Sequence, residues 1–363
     1  MVNLGYEVEW YCSAKYKEFA EKSGAKFIAY DIDFDNMYNV AELTENFYNL
    51  MKGLISLNQQ AYSMYIQNNY DDVDLIIYDS MAGFGKNLAQ KFKIKSVCLS
   101  ALVGYNPLVF TFSNMLFPSI KLFLCHGIDI MKLVKQEKKF RKENNIARFS
   151  LLDLFVNKGD ITIVFMPNEL QPFVTTFPKD VKFVGTTIKD RLNFKEETYN
   201  EDYDIYVSFG SVFTNNIEVI NAIVNEKFFD DKKILINIGS MDLKSPKENI
   251  TYIHYTNQVE LLKHCKLFIN QGGLNSIYES IYNKVVQISI PLQEEQRMNA
   301  KIVAKKKLGF YLKKFDINKI KKYINKIDSD KKYQESIEKY SKIVKEYDGT
   351  KLAIEHITKL LEE

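Results

Sequence analysis

The residues best suited to do chemistry fall in one stretch, Leu267 to Leu308. Gln271-Gly272-Gly273 is followed by Asn275, Ser276 and Glu279, then, past a second apolar run, by Pro291, Glu295 and Gln296. Two glycines let the backbone approach a ligand with no Cβ in the way. From Leu274 the apolar residues Ile277, Ile281 and Tyr282 take helical spacing, so Asn275 and Ser276 sit in a first helical turn. Free N–H groups and the positive end of the helix dipole favour a phosphate there. Glu279, one turn further on, offers a carboxylate for the two hydroxyls of a ribose. Two elements must position these groups. Lys266 to Asn270 reads as a buried strand before the glycines, and Val285 to Ile290 as a second strand ending at Pro291. In open α/β sheets ligands collect outside the carboxyl ends of strands, so both loops face one site.

This stretch resembles the nucleotide-sugar box of the UDP-glycosyltransferases of glycosyltransferase family 1, above all that of the bacterial macrolide glycosyltransferases. Gly272, Gly273, Asn275, Ser276, Glu279, Pro291, Glu295 and Gln296 match the family pattern in order and spacing. Ordered matches over some thirty residues are far more specific than a lone GxGxxG. Gln271 stands where the family has its phosphate-contacting histidine, and Lys284-Val285-Val286 replaces Gly-Val-Pro. A neutral amide still donates a hydrogen bond to phosphate, but never a charge-assisted one, so weaker donor binding is expected. Upstream, Asp204 to Phe213 looks like the family's Val-Ser-Leu-Gly-Thr/Ser strand and loop, which implies a place near the phosphates for Ser211. Thr251 to Gln258 occupies the place of the family's Trp-x-Pro-Gln segment. Tyr255 then stands for the aromatic that stacks on uracil and Gln258 for the polar residue near base or ribose. A buried aromatic without a ligand is the alternative for Tyr255, and Asn257 in place of proline loosens that loop.

The resemblance implies a GT-B fold, α/β, with two Rossmann-like doubly wound domains facing a cleft. The boundaries expected are 1–190 for an acceptor-binding domain, 191–203 for a linker, 204–345 for the UDP-sugar-binding domain, and 346–363 for a C-terminal helix packing back on the first domain. The implied reaction is inverting, metal-independent transfer of a hexose from a UDP-sugar to a hydroxyl of a small hydrophobic acceptor. UDP-sugar is then a substrate, and no cofactor is expected. Two alternatives stay open: a catalytically decayed member that binds a nucleotide sugar or a partner without turnover, and a lipid or cell-wall glycosyltransferase.

In the first half the resemblance begins at about residue 4, with Gly5 to Cys12 and Ala25 to Tyr30 as strands around a helix at Tyr16 to Lys22. The family's first strand, loop and most of its first helix are not matched, roughly 20–25 residues by typical element lengths. That loop carries the family's general-base histidine, and a sheet without its central strand is expected to expose unpaired backbone and be poorly soluble. Asp79, closing the apolar run Asp74 to Ser80, matches the aspartate that orients this histidine and stabilises its imidazolium. The plainer reading is a cap on the helix Gly85 to Phe92. His126 is a weak candidate to replace the base, and Asp31-Ile32-Asp33 only superficially offers a metal site. The apolar stretch after Ser100 lies where the family forms its acceptor pocket, though ordinary core reads equally well.

Bulk properties fit this outline. A chain of 363 residues accommodates two cores, and 46% hydrophobic content excludes general disorder. A net charge of +3 is nearly neutral for this length and predicts no nucleic-acid partner. Cys12, Cys98, Cys125 and Cys265 are scattered without a CxxC pair, which suits reduced thiols and a cytoplasmic location. The apolar region Val97 to Val134 is broken by Pro107, Pro118, Lys121, His126 and Asp129, so no transmembrane segment is expected. The Lys-rich tract 305–326 reads as a solvated face, with peripheral contact to an anionic membrane left open.

Overall fold

The structure, a computed structural model, describes residues 1–30, 47–113, 116–147, 156–192, 199, 201–210, 217–244 and 247–363. In chain order its strands are β1 (Glu9–Cys12), β2 (Lys26–Ala29), β3 (Leu75–Asp79), β4 (Lys95–Ser100), β5 (Ile161–Val164), β6 (Val181–Phe183), β7 (Tyr203–Ser208), β8 (Ile234–Asn237), β9 (Ile250–Ile253), β10 (Cys265–Asn270), β11 (Val286–Ser289) and β12 (Gly309–Tyr311). The helices are α1 (Lys17–Lys22), α2 (Phe47–Tyr65), α3 (Gly83–Phe92), α4 (Pro107–Phe112), α5 (Leu116–Glu143), α6 (Ile188–Arg191), α7 (Ile217–Asn225), α8 (Gln258–Leu261), α9 (Leu274–Tyr282), α10 (Glu294–Lys305), α11 (Ile317–Ser329), α12 (Lys331–Glu346) and α13 (Gly349–Glu362). Among the described residues no helix is long and apolar enough to cross a membrane.

The apolar runs of the second half become a six-stranded sheet in the order β12-β11-β10-β7-β8-β9, with every neighbouring pair parallel. Numbered within this half, that is the doubly wound order 3-2-1-4-5-6. Near-continuous apolar sequence is what a parallel sheet covered on both faces requires. Ile205, Val207, Ile236, Ile269 and Ile288 turn to one side, where α7 and α11 contribute Ile220, Ile223, Ile320 and Ile324. Tyr206, Leu235 and Phe268 turn to the other, the two rings stacked with centroids 5.0 Å apart. Burying a side chain such as Phe268, 0% exposed, is worth roughly 1.5–3 kcal/mol.

The first half is also parallel α/β, but its described strands lie in two sheets. β3-β4-β5-β6 form one, and β1 pairs with β2 in another, in register from Glu9↔Lys26 to Cys12↔Ala29. An aromatic layer lies between them: Tyr11 meets Tyr65 edge-on at 5.0 Å, and Tyr65 stacks on Phe84 at 6.0 Å. The strand read from Gly5 starts only at Glu9, because Val2–Leu4 form a 3-10 turn closed by Gly5 at φ 88°.

Contacts among the described residues join the halves at several places. Met166, Leu170 and Ile188 pack in one cluster with Leu274, Ile277 and Tyr278 of α9, and the Tyr278 hydroxyl donates to the Phe165 carbonyl at 3.2 Å. At the chain end, Ala353 and Ile357 of α13 are buried against Val97, Ile163 and Val184, and Lys95 Nζ donates to the Leu360 carbonyl at 2.9 Å. That last helix starts at Gly349: the Asp348 side chain accepts from Lys351 N at 3.1 Å and caps α13. The Lys-rich tract folds in part into α11, which buries Ile320 and Ile324 beneath its lysines.

Candidate functional site

The direction of winding in the second sheet reverses between β7 and β10, whose ends pair as Ser208 with Asn270. A crevice opens at such a switch point because the following loops turn away to opposite faces. Gly210 follows β7 at φ 75°, and a Cβ there would lie 2.3 Å from the Gln271 amide nitrogen, so this glycine leaves room for the Gln271 side chain. Ser211 lies outside the described residues. Gly272 takes φ 86°, the left-handed region, and a Cβ on it would press on the Gln296 carbonyl at 2.9 Å. Gly273, at the N-cap of α9, has ordinary extended backbone, and among the described residues the space where a Cβ would go is open. Leu274, Asn275 and Ser276 form the first turn of α9, and no side chain among the described residues caps it. Its free N–H groups point beyond the strand ends.

Asn270 holds the glycine loop from below. Its Oδ1 accepts from Gly272 N at 2.8 Å and Ser289 Oγ at 2.9 Å, while its Nδ2 donates to Gln287 Oε1 at 2.9 Å. Asn299 holds it from α10, donating to the Gly272 carbonyl at 3.0 Å and to Glu295 Oε1 at 2.9 Å. The signal for Asn270 in the sequence is a polar residue ending the apolar run Leu267-Phe268-Ile269. Asn299 gives none, because it meets the loop only through the fold.

Glu279 is 4% exposed, and both carboxylate oxygens are engaged. Oε1 is paired with Arg191 Nη1 from α6, and Oε2 accepts from Gln258 Nε2 at 2.5 Å. Gln258 Nε2 also reaches Ser276 Oγ at 3.0 Å, and its Oε1 accepts from the Tyr206 hydroxyl at 3.3 Å. Burial pushes the Glu279 carboxyl above its usual range, against the pull of Arg191 and Gln258. The structure thus brings Gln258, Ser276 and Glu279 into direct contact and adds Arg191, which sequence reasoning missed. Tyr255 stands 79% exposed, so the buried-aromatic alternative is corrected and its ring faces are open to a ligand. The loop expected to loosen at Asn257 is capped instead: Asn257 Oδ1 accepts from Glu260 N at 3.4 Å and starts α8.

In the loop after β11, Glu295 lies beside Asn299, and burial raises its carboxyl. Gln296 turns inward. Its Oε1 accepts from Leu292 N at 2.9 Å and Gln293 N at 3.2 Å, a capping box that shapes the loop.

Asp79 lies apart from these residues, at the carboxyl end of β3. Its Oδ1 accepts from Met81 N at 2.8 Å and closes a turn, so it does not cap the next helix; Asn58 Oδ1 takes the first-turn Phe84 N at 2.8 Å instead. Surrounding protein raises the Asp79 carboxyl, and burial, with a lesser push from Asp79, raises Tyr30 to about 12. None of the four histidines is hydrogen-bonded to Asp79. His126 stacks on Tyr48 at 5.0 Å, His254 Nδ1 meets the Gly239 carbonyl at 2.7 Å, His264 Nδ1 meets Asp202 at 3.1 Å, and His356 lies on α13. Asp31 to Asp35 fall outside the described residues, and among the described ones no three His, Cys, Asp or Glu gather as metal ligands.

A doubly wound domain with a glycine loop, an open helix start and a buried glutamate at its switch point, joined to a second parallel α/β domain, is a GT-B glycosyltransferase architecture. Two solved structures confirm the fold. One is the crystal structure of the glycosyltransferase of kitacinnamycin, with TM-score 0.82 at 17% identity, covering 99% of this chain and 93% of that one. The other is the calicheamicin glycosyltransferase CalG4, with TM-score 0.78 at 19% identity, covering 100% and 92%. Residues 173–352 match the family described as UDP-glucoronosyl and UDP-glucosyl transferase. The NDP-glycosyltransferase YjiC of Bacillus licheniformis is 27% identical over 380 residues, 99% of this chain and 92% of that protein. Residues 173–352 belong to the UDP-glycosyltransferase family, and the whole chain is similar to enzymes named for nucleotide-sugar transfer.

Proposed function

We propose that the protein moves a hexose from a UDP-sugar to a hydroxyl of a small hydrophobic acceptor, with inversion and without a metal ion. The observation that carries this reading is the Glu279, Gln258 and Ser276 contact set at the sheet's switch point. Uracil would lie on the exposed Tyr255 ring, the ribose hydroxyls would donate to Glu279, and the diphosphate would take the first-turn N–H groups of α9 beside Gly272 and Gly273. Gln271 would donate to a phosphate oxygen, Glu295 would accept from sugar hydroxyls, and Gln296 would hold the loop that presents it. Ser211 completes the phosphate side by resemblance alone. Exposed Leu108, Leu124, Ile128 and Met131, in the segment after β4, support an apolar acceptor.

In the transfer, the acceptor oxygen attacks the anomeric carbon from the face opposite UDP. The bond to the β-phosphate oxygen breaks, UDP leaves with its electron pair, and the hydroxyl proton passes to a base. Asp79 is assigned the stabilisation of a protonated base. Engagement of Asp79 Oδ1 by Met81 N in a local turn favours a second reading, nucleotide-sugar binding without turnover.

The test is incubation with UDP-glucose, a chelator and a panel of macrolide, flavonoid and vesicle-borne lipid hydroxyl acceptors, following UDP release and product linkage. Acceptor-dependent release with a β-linked glucoside is expected. UDP binding without release selects the second reading, and release confined to lipid acceptors replaces the acceptor class. An α-linked product, or loss of activity to the chelator, overturns the mechanism.

A further inference from the structure

Arg191 stands at an unusual junction. It ends α6, the short helix on the crossing from the first domain to the second. Ile188 of the same helix is 1% exposed and packs in the cluster that contains Leu274, Ile277 and Tyr278 of α9. Asp190 is hydrogen-bonded by Thr350, in the first turn of α13 on the return crossing. Gly349 N donates to the Thr186 carbonyl at 3.0 Å, and a Cβ on Gly185 would strike the Tyr347 ring at 2.2 Å. The two crossings are therefore packed on each other, and Arg191 is delivered from that junction into the donor domain. Its partner is Glu279, whose side chain is 6% exposed while that of Arg191 is 30% exposed.

The consequence follows from access to a buried carboxylate. A carboxylate has about four acceptor positions, so two remain beside the bonds already made, but two ribose hydroxyls also need an open path to reach them. Here Gln258 engages one oxygen and Arg191 the other, and together they cover a Glu279 side chain that is only 6% exposed. We propose that Arg191 gates the ribose subsite: it holds the Glu279 carboxylate until the ribose hydroxyls of the donor nucleotide replace it. Nucleotide binding then releases a contact between the donor domain and the interdomain junction. The same contact sets specificity, because only a nucleotide able to donate two hydrogen bonds can take the carboxylate from a guanidinium. This inference rests on the nucleotide reading proposed above.

Calorimetric titration of the full chain with UDP and with 2′,3′-dideoxyuridine diphosphate tests it. The wild type is compared with Arg191→Ala and with Arg191→Met, which keeps the packing of the stem and removes the donor. Breaking a charge-assisted hydrogen bond is a cost the wild type bears and the variants do not, so both variants are expected to bind UDP about tenfold tighter. The dideoxy analogue, which cannot claim the carboxylate, should bind wild type and variants alike. UDP affinity that is unchanged or weaker in the variants overturns the gate. So does an equal gain for both nucleotides, which marks a general loosening. A wild type and variants that all fail to bind UDP overturn the nucleotide reading itself, a result distinct from a gate that fails on a working site.

Discussion

Gly272 and Gly273 are neighbours in sequence, yet the structure assigns them opposite tasks, and replacing each by alanine separates the two. At Gly272 an alanine must adopt φ near 86° and bring its Cβ to 2.9 Å from the Gln296 carbonyl. The left-handed backbone costs about 1–2 kcal/mol and the carbonyl contact adds to it, so Gly272→Ala should lose about 2–3 kcal/mol of stability. At Gly273 the backbone sits at φ −62° and ψ 135°, comfortable for any residue, and among the described residues nothing beyond its own chain neighbours lies within 4 Å of the added Cβ. Alanine there restricts the unfolded chain, so Gly273→Ala should gain about 0.4–1 kcal/mol. The open space is where the diphosphate would approach the α9 start. A methyl group that displaces one charge-assisted N–H bond, worth about 1.5–3 kcal/mol, weakens UDP binding about 10- to 150-fold. Thermal melting of both variants beside calorimetric UDP titration reads both effects. A Gly273→Ala protein that melts below wild type, or binds UDP as tightly, refutes the assignment of that space to the ligand.

Tyr255→Ala removes a ring that is 79% exposed, so the melting temperature should stay within a degree or so of wild type while UDP affinity falls by about 1–3 kcal/mol of base stacking. Unchanged affinity in the same titration would place the uracil elsewhere. Glu295 makes a pH prediction. Burial raises its carboxyl above the ordinary 4.5, so the folded state binds the proton more tightly than the unfolded one. The ionised form therefore costs stability, and the cost grows as pH rises from 4.5 through the folded value. Glu295→Gln keeps an acceptor for Asn299 Nδ2 and should be more stable than wild type at pH 7 than it is at pH 4.5, read by urea denaturation at both. A difference that is flat with pH would show that the carboxyl is not raised.

The linear order of residues was enough for the parts of the donor site that depend on local physics. An apolar run, a pair of glycines and a helical repeat announce a strand, a turn and a helix start, because strand burial, backbone freedom and 3.6-residue periodicity act over a few neighbours. The turn at Gly272 and Gly273 and the first turn of α9 are legible for that reason. The same locality explains the errors. Asp79 and Asn58 are both short polar residues able to accept from a helix start, and only the packing of α2 on α3 gives the cap to Asn58. Asn257 reads as a loosened loop until its side chain is found capping α8.

What tertiary structure alone decided is the set of partners that meet from distant segments. Arg191 and Glu279 lie 88 residues apart, and nothing near either one names the other; α6 and α9 must first pack across the domain boundary. Gly210 and Gln271 become neighbours only because β7 and β10 pair in parallel at the switch point. Sequence carries the chemistry of each group and the local backbone that bears it. Burial, shared hydrogen bonds and the resulting rise of the Glu279 carboxyl are properties of the assembled interface, since they depend on which side chains exclude water from one another.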